Sequence, residues 1–491
     1  MKELNLIAFD CGNSSFRTIL GRFDGTKIET EVIGQTEHHE VELTGRLYWD
    51  VLRMFQGLSD GMRIAAGKCG NISSAGIATW GIDFGIIGED GRLLSNPLSY
   101  RNSLGQRALE TLTQQEKDFM YYETGIRDHQ MNTVYQMMGL RAESPALFSC
   151  AKKCLLMPDL LSYFFTGEMR GERTIASTTQ YYSMKTREYS DAVLNKREIE
   201  KALLPALIGH GEKIGMLREE IAKAMEITPF PFICVPSHDT ACAAAGVPAA
   251  GDFAFISSGT WGLIGTEESE PIITQEVYDM QLSNEGGVFG TVTLLKNAAG
   301  MFVIQRIRRE MNARDGCVYQ WDEIVEMAKA AENDSLVLDL DDPRLYNPQS
   351  MLRGIREVLA ESGQDGSCTD GELIRAVYES MAMAYKYTVE QLETATGKNY
   401  PAVHIVGGGA KNSFLNQLAA NALQKKVVAG PYEATSMGNM GVQLVYHVEE
   451  INTLADVRSV ISASVHTKEF EPQAACDVEK YLRYKRLVGK G

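Results

Sequence analysis

Three short polar turns, hundreds of residues apart, constrain this chain more than any other part of it: Asp10-Cys11-Gly12-Asn13-Ser14-Ser15, Ser257-Ser258-Gly259-Thr260-Trp261 and Gly407-Gly408-Gly409-Ala410-Lys411-Asn412. Each follows an apolar run suited to a buried strand. The first two read as strand, tight turn, strand. The third reads as strand, glycine turn and helix, with Leu415, Leu418, Ala419 and Ala422 as the helix's buried stripe. Small residues let backbone N–H groups approach phosphate oxygens, and Asp10 adds a carboxylate suited to a hydrated Mg2+. Taken singly, a Ser/Gly/Asn turn between strands is an ordinary hairpin. Recurrence in related positions points to a phosphate-bearing ligand held from several directions.

The chain's size sets how such turns can be arranged. At 491 residues it exceeds one ordinary domain, and 44% hydrophobic with 23% charged residues is enough to give two lobes a core each. The formal charge of -16 repels polyanions at long range, which argues against nucleic acid or an anionic membrane as partner. Nine cysteines without a Cys-x-x-Cys pair read as reduced, structural thiols. Eight histidines lack zinc-site spacing, and the adjacent His38-His39 point different ways on any regular element, so an oxygen-bound metal is expected. No apolar run is long enough to span a bilayer, and the opening Met1–Asp10 is too short and acidic for a signal peptide. A cytoplasmic protein is expected.

Along the chain, Leu6–Phe9, Thr18–Leu20 and Ile28–Val32 predict an antiparallel meander, followed by a helix near Tyr48–Phe55, a buried strand at Ala75–Thr79 and a hairpin about Glu89-Asp90-Gly91. Residues 104–207 are rich in helix formers and predict a helical insertion. Ile233-Cys234-Val235 reads as strand, broken by Pro236, with a small-residue helix over Thr240–Ala245. The lobe boundary falls in Gly246–Gly251, dividing the chain into 1–246 and 247–491. Beyond it, Phe253–Ile256, a turn and Trp261–Gly265 repeat the opening pattern, which predicts an internal duplication.

Candidate site residues follow from these placements. His238-Asp239 closes a broken strand just before a helix, at the mouth of an α/β sheet. There Asp239 has two open roles, accepting a hydroxyl proton or N-capping Thr240–Ala245. Trp80-Gly81-Ile82-Asp83-Phe84 offers an aromatic wall, a glycine and a carboxylate, an inventory for a polyol or simply for a core. Asn297 and Gln305 are expected on one helical face, addressing ligand oxygens or solvent. Glu433 sits at a tempting distance from the glycine turn, a weak signal alone.

Together these segments resemble the FGGY carbohydrate kinases, and within them the rhamnulokinase-like branch: Thr79–Phe84, Pro97–Arg101, Leu156–Asp159, Ser237–Ala241, Ser257–Trp261, Asn284–Gly287, Leu295–Asn297, Val406–Gly409 and Ala429–Thr435. The resemblance implies an α/β fold of two ribonuclease-H-like lobes, as in actin, hexokinase and heat-shock ATPases, around a central cleft that closes on the sugar. It implies ATP and Mg2+, with a small-molecule ketose, rhamnulose first, phosphorylated on its primary hydroxyl. Carried over by motif, Asp239 is the catalytic base, and Gly81, His238 and Asn297 contact the ketose. Asn13, Ser14, Ser15, Phe16, Arg17, Thr260, Gln305, Gly408 and Gly409 contact ATP. To these Asp83 is added as a sugar contact and Asp10 as the Mg2+ residue. Phe16, Asn102, Gly262 and Phe302 depart from the branch's common Gly, Asp, Ser and Trp. These departures bear on which sugar is used, and L-fuculose, L-xylulose and ribulose remain alternatives. Of the other ATPases of this fold, chaperone-like or filament-forming, a chaperone would need more than the tail 481–491 as a peptide module. A dinucleotide oxidoreductase would need glycine at Asn412.

Overall fold

A computed structural model describes residues 3–332, 335–346 and 348–489, so Met1-Lys2 of the opening and Lys490-Gly491 of the tail lie outside the described residues. The chain divides into two compact units. The first comprises Met1–Ala250, Glu267–Leu294 and Glu433–Val465; the second comprises Gly251–Thr266, Leu295–Tyr432 and His466–Gly491.

In the first unit the strand order is Lys213–Met216, Pro231–Ile233, Ser74–Thr79, Leu4–Cys11, Ser15–Phe23, Ile28–Glu37. The last three form the antiparallel meander, while Ser74–Thr79 runs parallel to both Leu4–Cys11 and Pro231–Ile233. The two-residue period of a strand sends Ile7 and Phe9 to one face and Leu6 and Ala8 to the other. Phe9 stacks with Phe165 and Phe232 at centroid distances of 5.8 and 6.4 Å, beside the helices Val51–Cys69 and Met157–Thr166. On the opposite face Leu6, Ala8 and Ile19 pack against Met437, Met440 and Leu444 of helix Ala434–His447. Burying each of the larger side chains contributes roughly 1.5–3 kcal/mol, so the sheet is held from both sides.

Several local expectations shift. The helix foreseen near Tyr48 begins at Val51, because the Asp50 carboxylate accepts the Arg53 N–H at 3.1 Å and caps it there. Residues 104–207 carry helices at Leu104–Glu110, Gln114–Thr124, Thr133–Glu143 and Met157–Thr166, but also the strand Ala151–Leu156. That strand takes Phe84–Gly88 as its partner, which leaves the Glu89-Asp90-Gly91 hairpin as a tight turn with one bridge, Ile87 to Leu93. The strand read through Val235 stops at Ile233, since Cys234 exchanges its backbone bonds with Gly211 and Glu212 at 2.8 Å.

The second unit repeats the arrangement. Ala254–Ser258 pairs antiparallel with Trp261–Glu268 and parallel with Ala402–Val406, which in turn lies parallel to Lys426–Ala429. A hairpin followed by parallel strands is the ribonuclease-H-like order. Among the described residues, no helix is long and apolar enough to cross a membrane.

Candidate active site

Parallel strands that start together also end together, and in the first unit three of them release their chains at one edge of the sheet. Leu4–Cys11 leads into Gly12–Ser14, Ser74–Thr79 into Trp80–Asp83, and Pro231–Ile233 into Pro236–Asp239. Backbone bonds tie the exits together: Trp80 N donates to Cys11 O at 3.2 Å, and Thr79 N donates to Ser237 O at 2.8 Å. Open α/β sheets bind ligands at such carboxyl ends.

Asp10 and Arg17 face each other across the first hairpin. Their side chains form an ion pair, and Arg17 Nη1 also lies 2.7 Å from Glu433 Oε2. Arg17 therefore bridges two carboxylates at the start of the polar turn. The Asn13 side-chain oxygen is buried there without a partner, as a turn built to receive a donor or cation would leave it. The Phe16 side chain belongs instead to the core, edge-on to His38 and closing on Gly57. Any nucleotide contact at that position falls to its backbone.

Asp239 opens the helix Asp239–Ala245 as its first residue, and the N-cap position belongs to His238, so the capping role considered for Asp239 is not the one it plays. Its side chain keeps 33% exposure and accepts one bond, from Thr240 Oγ1 at 3.3 Å. Burial raises its carboxyl above the ordinary value, His238 opposes this, and the negative charge of Asp10 adds to it. A reachable carboxylate with raised basicity is what proton acceptance requires. The helix is positioned by size: a Cβ on Gly438 would lie 2.0 Å from Cys242 O, and one on Gly246 2.2 Å from Ala434 O. The all-small run Asp239–Ala245 thus meets helix Ala434–His447 backbone to backbone.

His238 stands between two acids, with Nδ1 3.2 Å from Glu285 Oε2 and Nε2 3.5 Å from Asp239 Oδ1. Burial disfavours its charge, but the Glu285 carboxylate outweighs this and the imidazole titrates above its usual value.

Asp83 departs from the expected direct sugar contact. It is 1% exposed, and its carboxylate accepts from Trp49 Nε1 at 2.6 Å, Trp80 Nε1 at 2.9 Å and Gln136 Nε2 at 3.3 Å. Burial lifts its carboxyl to about 7 despite those bonds. It braces two indoles whose centroids lie 4.5 Å apart. Gly81 beside it is buried, and a Cβ there would press within 3.0 Å of Thr178.

In the second unit the two remaining turns sit side by side at strand ends. Gly407 has φ 82°, and a Cβ on Gly409 would lie 2.0 Å from Ser258 Oγ, so glycine is required at both. Met301 N donates to Gly259 O at 3.1 Å and Phe302 N to Thr260 O at 3.2 Å, fastening the start of helix Phe302–Asp315 to the Ser257–Thr260 turn. Thr260, Gly408 and Gln305 are exposed around this junction. Gln305 also lines a cavity of about 290 Å³ with Arg308, Arg309, Asn312 and Trp321. Asn297 and Gln305 do not share a helical face: Asn297 lies in the strand Val292–Ala299 and Gln305 in the helix after it. Gly300 separates them, its backbone wedged so tightly that a Cβ would lie 2.5 Å from Thr260 O.

Among the described residues, no group of three or more His, Cys, Asp or Glu side chains could hold a metal ion by itself. Asp10, the carboxylate expected beside such an ion, is held in its ion pair with Arg17. Glu285 lies in the Asn284–Gly287 motif without a role readable from sequence, and the buried Glu172 escapes sequence reasoning, since each lies tens of residues from the loop it serves. Glu433 was signalled by its spacing and by its place in the Ala429–Thr435 motif, neither of which announced its pairing with Arg17.

Comparison with known proteins bears on this arrangement. Residues 5–246 match the N-terminal domain, and residues 254–447 the C-terminal domain, of the FGGY family of carbohydrate kinases. A rhamnulokinase of Bacteroides thetaiotaomicron is 37% identical over 492 residues, covering 99% of this chain and 100% of that protein. A rhamnulokinase of Halalkalibacterium halodurans is 33% identical, with 94% and 98% covered. The crystal structures of a gluconate kinase and of a ligand-bound xylulose kinase from Lactobacillus acidophilus each superpose with TM-score 0.80 at 18% identity, over 99% of this chain and 96% of theirs. That likeness concerns the fold.

Proposed function

The chain belongs to the FGGY family of carbohydrate kinases, phosphotransferases with an alcohol acceptor, and on that premise we propose that it transfers the γ-phosphoryl group of ATP to the primary hydroxyl of L-rhamnulose, forming L-rhamnulose 1-phosphate. The observation that carries the reading is Asp239, an accessible carboxylate of raised basicity beside His238 at the strand ends. The choice of sugar draws on relatives named rhamnulokinase that align over nearly their whole length.

In this reading Asp239 accepts the proton of the attacking hydroxyl, and His238 and the Gly81 backbone hold the sugar, with Asn297 adding an amide. Asp83 acts at one remove, through Trp80. The backbone N–H groups and hydroxyls of Asn13–Ser15 and Thr260, with Gly408, Gly409 and Gln305, receive the nucleotide. Arg17, already neutralised by Asp10 and Glu433, orders the first turn more than it attracts phosphate. Mg2+ bound to the phosphates would offset charge developing on their oxygens, with Asp10 as its protein neighbour through water. Phosphoryl transfer has a loose transition state, so positioning contributes more than base strength.

A coupled ADP-release assay over rhamnulose, fuculose, xylulose, ribulose and gluconate tests the proposal. Rhamnulose should give the highest kcat/KM, and preference for another sugar would overturn the assigned substrate. Asp239→Asn should lower kcat by about 10²-fold or more while ATP affinity stays within about twofold. Normal turnover by this variant would remove the base.

A further inference from the structure

We propose that Glu172 and Thr174 form a positioning pair that fixes the backbone of His238, and with it the direction of Asp239, without touching either substrate. The claim rests on Asp239 being the proton acceptor of the proposed reaction.

Glu172 is 3% exposed and its carboxylate is filled by donors from three segments. From its own segment it accepts Thr174 N at 2.6 Å, Thr174 Oγ1 at 2.6 Å and Ile175 N at 2.9 Å, which caps the short helix Arg173–Ser177. From the catalytic loop it accepts Ser237 N at 3.0 Å and Ser237 Oγ at 2.7 Å. From a third segment His210 Nε2 donates at 2.6 Å, while His210 Nδ1 accepts Phe289 N–H at 3.0 Å. Thr174 Oγ1, whose O–H donates to Glu172, accepts the His238 N–H at 3.1 Å. On the loop's other side Thr79 N holds Ser237 O at 2.8 Å. The residue before Asp239 and the one before that are therefore pinned through every backbone bond named here.

A helix cap needs only a short acceptor, and Ser, Thr or Asp would cap Arg173–Ser177 as well. The longer Glu reaches a second client, and burying a carboxylate is costly unless donors surround it. Burial works against the charge, yet the bonds from His210 and Thr174 prevail and hold the Glu172 carboxyl down at about 2. The neighbouring Asp159, which accepts Glu172 N at 3.3 Å, is pushed up by burial and by that charge. The same short helix also fixes the other end of the histidine's pair: Ser177 Oγ accepts Gly286 N at 2.8 Å, next to Glu285. One helical turn thus aligns both partners of the His238–Glu285 contact, in a reaction where a displacement of about 1 Å can cost about 10²-fold.

The test compares Thr174→Val, which keeps shape and backbone but removes the hydroxyl, with Thr174→Ser, which restores it. Thr174→Val should lower kcat for the ketose by about tenfold or more, and Thr174→Ser by less than about threefold. The Kd for ATP should stay within about twofold for both, and the His238 amide should exchange with deuterium faster in Thr174→Val alone. Wild-type kcat in Thr174→Val, equal loss in both variants, or unchanged exchange would each overturn the proposal. Were the wild-type protein to phosphorylate no sugar, the kinase reading would fall, while amide exchange would still decide whether Thr174 holds the loop.

Discussion

His238 shows how one residue's surroundings set its charge. An imidazole taken out of water ordinarily loses its proton more readily, yet here the Glu285 carboxylate 3.2 Å from Nδ1 reverses the direction. Glu285→Gln removes that charge and leaves burial opposed by the weaker pull of Asp239 and Glu172, so the His238 midpoint should fall below its wild-type value, as followed by NMR of the ring C–H signals. Linkage gives the stability sign. A folded-state pKa raised above 6.5 means the contribution is complete below that pH and is lost as pH rises through the raised value. Urea unfolding followed upward from pH 6.5 should therefore show wild-type protein losing stability relative to Glu285→Gln as His238 deprotonates. A midpoint unmoved by the substitution would mean that Glu285 is not the cause. Asp83 makes the complementary point: a carboxylate at a strand end, chosen from sequence as a ligand group, is consumed by two indoles. Trp49 lies 34 residues away, and no local pattern announces it.

Elements were legible where their pattern is local. The apolar run before the glycine turn is the strand Ala402–Val406, Leu6–Phe9 forms half of its strand and Ala75–Thr79 nearly all of its own, because an apolar run bounded by turn residues needs no distant partner to be recognised. The polar turns were legible for the same reason. Readings failed where a distant element decided the outcome: Asn297 and Gln305 are divided by Gly300, whose role is visible only once Thr260 lies against it. Glu172 likewise serves Ser237, 65 residues away. The contact between helices Asp239–Ala245 and Ala434–His447 gives this an experimental form. Gly438→Ala places a Cβ 2.0 Å from Cys242 O, a backbone atom unable to yield, whereas Gly441→Ala on the same helix meets the Val457 side chain at 2.7 Å. Gly438→Ala should cost about 1–3 kcal/mol or more in urea unfolding and lower kcat, since the displaced helix begins with Asp239. Gly441→Ala should cost less and keep turnover. Equal stability and activity in the two would show that the close approach is not what seats the base.

At the scale of the whole molecule the charge of -16 opposes a negatively charged substrate. A phosphate-binding protein often offsets this with a cluster of basic side chains, but here Arg17 at the first polar turn is already shared between Asp10 and Glu433. Local attraction by fixed side-chain charge is therefore weak at that turn, and backbone N–H dipoles act only at contact. Away from Arg308 and Arg309, which share a cavity with Gln305, long-range repulsion is left to act on the approaching nucleotide. The Debye length falls from about 30 Å at 10 mM to about 8 Å at 150 mM ionic strength, so added salt hides most of the surface charge from an incoming ion. With Mg2+ held in excess, kcat/KM for ATP should rise by roughly two- to threefold over that range, whereas kcat/KM for the uncharged ketose should stay flat. An equal osmolality of sucrose should leave both unchanged. A kcat/KM for ATP that falls with salt would instead mean that an attractive local field overrides the net charge, and Arg17→Gln would then remove that salt dependence if Arg17 were its source.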